Sequence, residues 1–312
     1  RLGRYTSKHG LTYNRSRRVK VCQAGAINEN WSSCFTAGAI SNTVARGQKI
    51  RCEAIQIFGS HPQIWAFKTV PGEEIERFKQ GLIDSGIGPV FLHAIYLINL
   101  ATASKETLKK GIGSLIKYMT LASEVGAEGV IVHPGSHGGK GFEAVLPQVV
   151  DALKLVLDDS PEGPVLALEN MAGMGQHIGA KFYELGAILN EVNSSRLKIC
   201  LDTQHAFAAG YDMTDFKGIQ TMLTELEAGP GCSNVVAVHA NDSKHVCGSG
   251  VDRHENIGDG FIGVVGFSAL MGASALSTVP FFLEVPGSEG KGPDPDNINI
   301  LKKIRGQVGL SD

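Results

Sequence analysis

The chain has 312 residues, enough for one large domain or two ordinary ones, and its 43% hydrophobic and 19% charged content is that of a soluble globular protein. No apolar run approaches the roughly 20 residues a membrane-spanning helix needs. The formal charge of −2 gives no sign of nucleic-acid binding, but it omits bound metal, whose charge would be concentrated at one place.

In chain order, residues 1–20 (RLGRYTSKHGLTYNRSRRVK) carry seven Lys/Arg and no acid. Without a hydrophobic stretch this is not a secretory signal. Residues 1–19 read as a basic, disordered extension, with a nucleic-acid-contacting arm as the sharper alternative. From Lys20 onward short β-rich runs alternate with longer amphipathic ones. The strands read VKVCQAGA (19–26), AIQIF (54–58), PVFLHAIY (89–96), GVIVHPG (129–135), PVLALENM (164–171), LKICLDTQH (197–205), VVAVHAND (235–242) and VPFFLEVPG (279–287). They are continuously apolar, as strands of a parallel sheet covered on both faces should be. Helical periodicity lies between them, clearest over 72–86, 106–126 and 141–158. In 106–126 the residues Leu108, Ile112, Leu115, Ile116 and Met119 form one apolar face. Eight strands with intervening helices and no long linker predict a single α/β domain over 20–312, a (β/α)8 TIM barrel. The 39 glycines suit its many tight loops.

The six cysteines include no C-x-x-C pair, which argues against a zinc ribbon or a thioredoxin-type motif. Scattered cysteines point to a reducing, cytoplasmic compartment. Cys200, inside a strand, reads as a small buried hydrophobe.

A (β/α)8 barrel places its active site at the C-terminal ends of the strands. Nine residues of metal-ligand type fall there: His93, His133, Glu169, Asp202, His205, His239, Asp252, His254 and Glu284. One histidine at a strand end is ordinarily a core or loop residue. Five histidines and four carboxylates at one topological level are too many for a single ion with an open position. They suit two or three Zn²⁺-like ions. His9, His61, His177 and His245 are not expected to be ligands.

Three runs are more specific: HAIYLINLA (93–101), LDTQHAFAAGYD (201–212) and VHANDSKHVCGSGVDRH (238–254). HPGSH (133–137), LEN (168–170) and FLEVP (282–286) complete the order. Over about residues 50–305 the chain resembles the endonuclease IV family, type 2 apurinic/apyrimidinic (AP) endonucleases of DNA repair. The first and third runs match the family signatures in full. The second departs at Gln204, where the family usually has Cys, a position between two ligands. The resemblance implies three zinc ions per chain. His93 and His133 would hold one, with Glu169 bridging to a second. Asp202, His239 and Glu284 would complete the second, and His205, Asp252 and His254 would hold the third.

It further implies hydrolysis of the phosphodiester 5′ to an abasic site, leaving 3′-hydroxyl and 5′-deoxyribose phosphate ends. Glu284 and Glu169 would orient the nucleophile. The partner is double-stranded DNA carrying abasic sites or blocked 3′ ends, bound by a monomer with no membrane association. Tyr96 and Leu97 match the family loop that penetrates DNA at the lesion. Trp65 and Gln63 fall in a DNA-recognition loop whose usual Arg wedge is here Gln63. His137, Lys244 and Arg253 are candidate phosphate contacts. The first strand departs from the family, with Gly25, Ala26 and then Ile27 where a histidine is usual. Two alternatives stand beside this reading: a metal-dependent sugar isomerase or epimerase on a related barrel, and a non-catalytic abasic-DNA binding homologue.

Overall fold

The computed structural model describes residues 20–23 and 39–309, together with two short antiparallel strands, Tyr5–Thr6 and Thr12–Tyr13. The rest of the basic extension and the Gly25–Ile27 departure lie outside the described residues. Eight parallel strands close into a barrel in sequence order: β1 (Val21–Gln23), β2 (Ala54–Phe58), β3 (Val90–His93), β4 (Gly129–Val132), β5 (Val165–Glu169), β6 (Leu197–Asp202), β7 (Val235–His239) and β8 (Phe281–Leu283). β8 pairs with β1 on one side and β7 on the other, so the predicted (β/α)8 barrel is the fold. Its helices are α1 (Asn42–Lys49), α2 (Gly72–Ser85), α3 (Lys105–Val125), α4 (Phe142–Asp158), α5 (Phe182–Val192), α6 (Thr203–Ala208), α7 (Phe216–Ala228), α8 (Gly263–Met271) and α9 (Pro295–Gln307). Among the described residues no helix is long and apolar enough to cross a membrane.

The strands are apolar on both faces because each face has its own core. Ala54, Phe91, Ile131, Ala167, Cys200, Ala237 and Phe282 form a buried cluster inside the barrel. Their strand neighbours, among them Ile55, Leu92, Val130, Leu168, Leu201 and Leu283, join the larger core beneath the helices. This is the period of two that a pleated strand imposes. Moving two residues on from each inner-core residue reaches the same face one layer higher. That step leads to Gln56, His93, His133, Glu169, Asp202, His239 and Glu284 in turn. The closed sheet thus stacks a polar layer directly on an apolar one.

Most predicted runs extend past the strands they contain, and two of them run on into other regular structure. LKICLDTQH is not extended to residue 205: β6 ends at Asp202, whose carboxylate accepts from the His205 backbone N–H at 2.7 Å and caps α6. His205 therefore sits on a short helix rather than in a loop. VVAVHAND ends as a strand at His239, and Asp242–Ser243 pairs instead with His254–Glu255 in a small antiparallel ladder. That ladder folds the long β7 loop back over the barrel mouth. Both carboxylate oxygens of the fully buried Asp242 hold the loop, accepting from the N–H groups of Gly258, Ile262 and Gly263 at 2.9–3.1 Å.

Candidate metal centre

Glu169, fully buried at the end of β5, is the hub of the polar layer. Its Oε2 lies 3.2 Å from Nε2 of both His93 and His133, and its Oε1 lies 3.2 Å from His205 Nδ1 and 3.1 Å from His239 Nδ1. His239 Nδ1 is also 3.3 Å from Glu284 Oε2 and 3.6 Å from Asp202 Oδ2. Asp252 reaches in from the β7 loop, 3.3 Å from His205 Nε2 and 3.4 Å from His254 Nε2. Donor atoms lie within 4.8 Å of one another in three groups: His93, His133 and Glu169; Glu169, Asp202, His239 and Glu284; and Asp202, His205 and His254. The first two match the grouping expected from sequence. The third differs, because Asp202 joins it while Asp252 stands alongside. By capping α6, Asp202 comes to lie between the second and third groups.

The hydrogen bonds of the histidine rings suit the pocket to cations. A carbonyl oxygen only accepts hydrogen bonds, so a ring nitrogen facing one must donate, and once the ring is neutral the other nitrogen has its lone pair free. His93 Nδ1 donates to Ala94 O at 2.7 Å, His205 Nδ1 to Asn170 O at 2.9 Å and His254 Nδ1 to Glu284 O at 3.0 Å. Their Nε2 atoms are left to ligate. His254 Nε2 is buried with no hydrogen-bond partner among the described residues. His239 is turned the other way. Gln56 donates from Nε2 to Glu284 Oε1 at 3.0 Å, so its Oε1 accepts from His239 Nε2 at 2.8 Å and His239 Nδ1 faces the carboxylates. Amides fix the acids too. Asn241 Nδ2 donates to Asp202 Oδ2 at 2.7 Å while its Oδ1 accepts from Glu284 N at 2.8 Å. Asn170 Oδ1 accepts from Asp202 N at 2.7 Å.

Three buried carboxylates in one space repel unless cations neutralise them. Burial pushes the Glu169 pKa up, but the His239 and His133 rings outweigh it and hold it well below the usual range. Conversely, burial pushes the His205 ring down, and Asp202 and Asp252 outweigh it and hold it well above. Mixed His nitrogens and carboxylate oxygens are the donor set of Zn²⁺-like ions, and these residues fit such a group.

The structure brings all nine sequence-selected residues together. Of the DNA-contact candidates only Tyr96 lines the cavity above them, its ring stacked on His133 at 5.3 Å. Leu97 and Gln63 are exposed on the β3 and β2 loops, while Trp65 is half-buried against the outer core. His137 Nδ1 accepts from Gly141 N, a local loop contact. Arg253 is exposed and donates to Asp252 O, and Lys244 stands 3.9 Å from Glu255. Gln204 is not a ligand: its Nε2 donates to Val251 O at 2.9 Å, tying α6 to the loop that carries Asp252. Cys200 is buried in the inner core, as expected. Sequence reading missed Gln56, Asn170 and Asn241. Each has a signal once the register is known, since Gln56 occupies the two-step position on β2 and the asparagines adjoin or nearly adjoin ligands.

Residues 44–304 match the family described as xylose isomerase-like TIM barrel. A probable endonuclease 4 of Halothermothrix orenii is 37% identical over 268 residues, covering 86% of this chain and 96% of that protein. The probable endonuclease 4 of Aquifex aeolicus is 37% identical over 270 residues, covering 86% and 95%. The crystal structure of endonuclease IV from Thermus thermophilus superposes with a TM-score of 0.78 at 31% identity, covering 92% of this chain and 99% of that one. A D-tagatose 3-epimerase-like protein reaches a TM-score of 0.69 at 17% identity, covering 93% and 97%, a likeness of fold alone.

Proposed function

Since this chain belongs to the endonuclease IV family of xylose isomerase-like TIM barrels, we propose that it is a metal-dependent DNA-repair hydrolase, with three zinc ions, that cuts the phosphodiester 5′ to abasic sites. The products would be a 3′-hydroxyl and a 5′-deoxyribose phosphate, and blocked 3′ ends would be cleared by the same phosphoester chemistry. The carrying observation is the polar layer together with the residues that join it from α6 and the β7 loop, nine ligand-type residues in which carbonyls and Gln56 orient the rings of His93, His205, His254 and His239. A sugar epimerase on this fold has less use for so many ligands.

His93 and His133 would hold one ion, sharing Glu169 with a second completed by Asp202, His239 and Glu284. His205, Asp252 and His254 would hold the third. Bound divalent ions supply Lewis acidity to the phosphoryl oxygens and positive charge to the transition state. Around them the chain's own groups orient and exclude. Glu284 and Glu169, rigidly held, position the attacking water. Tyr96 and Met171 line a cavity of about 360 Å³ that shields the reacting phosphate. An abasic nucleotide enters at low cost because it has no base to unstack. Tyr96, Leu97, Gln63, Trp65, His137 and Arg253 would meet the DNA. The barrel acts as a monomeric, cytoplasmic unit over residues 20–312 with the basic extension appended.

Incision of a duplex carrying one abasic analogue tests this reading. Cleavage that chelator abolishes and zinc restores supports it. Binding without incision by the metal-replete protein would show an abasic-DNA binder instead.

A further inference from the structure

Asp252 is the outlying member of the ligand set. It comes from the long β7 loop rather than from a strand end. Its side chain is 32% exposed, whereas those of Glu169, Asp202 and Glu284 are at most 4% exposed. The carboxylate still lies 3.3 Å from His205 Nε2 and 3.4 Å from His254 Nε2. A ligand carried on a loop holds an ion only as firmly as the loop itself is held.

Much of that hold is backbone. Gly248 N donates to Phe207 O and Gly250 N to Ala208 O, both at 2.9 Å, so the end of α6 grips the segment leading to Asp252. On the far side, Lys244 N donates to Arg253 O at 3.1 Å. Almost any sequence makes such bonds. Gln204 adds one that depends on its side chain. It is fully buried on α6 between Asp202 and His205, and its Nε2 donates at 2.9 Å to Val251 O, the carbonyl immediately before Asp252. The same nitrogen lies 3.4 Å from Ser243 Oγ, on the opposite leg of the small ladder. One amide thus joins both legs of the β7 loop to the helix that carries His205.

Packing alone does not account for an amide at this place. Gln204 Oε1 is buried with no hydrogen-bond partner among the described residues, and an unsatisfied buried oxygen is destabilising. The bond from Nε2 is what the amide contributes. The sequence resemblance implies Cys at this position. A Cys sulfur stands where Gln has its Cγ, two bonds short of the amide nitrogen, and does not make the tie.

We infer that Gln204 is a positioning residue for the third ion, fixing Val251 so that the Asp252 carboxylate stays against His205 and His254. The inference rests on the three-ion reading above. It makes that ion's binding tighter here than it would be with Cys at residue 204.

The test measures zinc affinities by competition with a chelator of known affinity. The proteins are wild type, Gln204→Met, Gln204→Cys, Asp252→Ala and the double variant Gln204→Met with Asp252→Ala. Met keeps the side-chain length and removes the donor. Each Gln204 variant should weaken one ion about 10–100-fold, as loss of an outer partner does, and leave the other two at wild-type affinity. Asp252→Ala should weaken that same ion. Because Gln204 acts through Asp252, Gln204→Met should add nothing once Asp252 is gone. Unchanged affinity in either Gln204 variant would overturn the inference. Full additivity of Gln204→Met with Asp252→Ala would also overturn it, by making Gln204 a packing residue, as would equal weakening of all the ions. Wild-type protein that holds fewer than three ions would instead bring down the three-ion reading, and this inference with it.

Discussion

Gln56 sits at the level of the ligand-type residues and serves two of them, accepting from His239 Nε2 and donating to Glu284 Oε1. Gln56→Leu should leave the fold intact while weakening metal binding about 10–100-fold, the usual cost of losing a group that orients a ligand. Chelator competition measures it, and unchanged affinity would contradict the orienting role. Among the proposed ligands, Glu169→Ala should release two ions because it touches two groups, whereas His93→Ala should release one; elemental analysis separates them. Glu284→Gln should fold normally and cut at least roughly a hundredfold more slowly, and near-wild-type turnover in a metallated variant would dismiss its orienting role. The rings also set a pH dependence. Although burial lowers the His205 and His239 pKa values, neighbouring acids outweigh it and raise both. In the ion-free protein those rings therefore carry protons that a divalent ion must displace. Metal affinity should climb as pH rises through the elevated histidine pKa values and level off once the rings are neutral. A flat profile in buffered chelator titrations would count against this.

At the scale of elements, the barrel strands were legible because a strand covered on both faces must be apolar throughout. Their ends were less so. The run LKICLDTQH continues past β6 without a change in composition, and only the Asp202 cap on His205 N converts the chain to helix there. The ligand-type residues were legible as a set because metal chemistry permits few residue types. Gln56, Asn170 and Asn241 were not, because an amide reads the same whether it orients a ligand or caps a turn until the register places it. Close helix approach was equally invisible. A Cβ on Gly186 in α5 would lie 2.6 Å from the Gly229 carbonyl carbon, while one on Gly113 in α3 would meet nothing within 4 Å. Gly186→Ala should therefore destabilise by about 1–3 kcal/mol through overpacking. Gly113→Ala should stabilise by roughly 0.5–1 kcal/mol, since it removes only unfolded-chain freedom. Denaturant midpoints for the pair provide the check, and equal shifts would mean that the α5 contact relaxes freely.

For the molecule as a whole, 29 Lys/Arg are offset by 31 Asp/Glu, so the ion-free chain has no net positive charge to draw a duplex. Its attraction for DNA should be concentrated at the loaded metal layer. Gln63, exposed on the β2 loop, stands where the sequence resemblance implies an Arg wedge. Gln63→Arg should tighten binding to abasic duplex and steepen the log–log salt dependence by about 0.9 for one added phosphate contact, with little change in the chemical step. Unchanged slope and affinity would mean that this loop does not reach the DNA. The inner core has a different kind of consequence. Ala54, Phe91, Ile131, Ala167, Cys200, Ala237 and Phe282 fill the barrel below the polar layer, so among the described residues ions, water and DNA share one entrance, the open mouth above. Traffic through a single doorway has an order. Ions must arrive before the duplex, and once it is seated they are trapped behind it. A chelator should strip the free protein readily and the DNA-bound protein only as fast as the duplex departs.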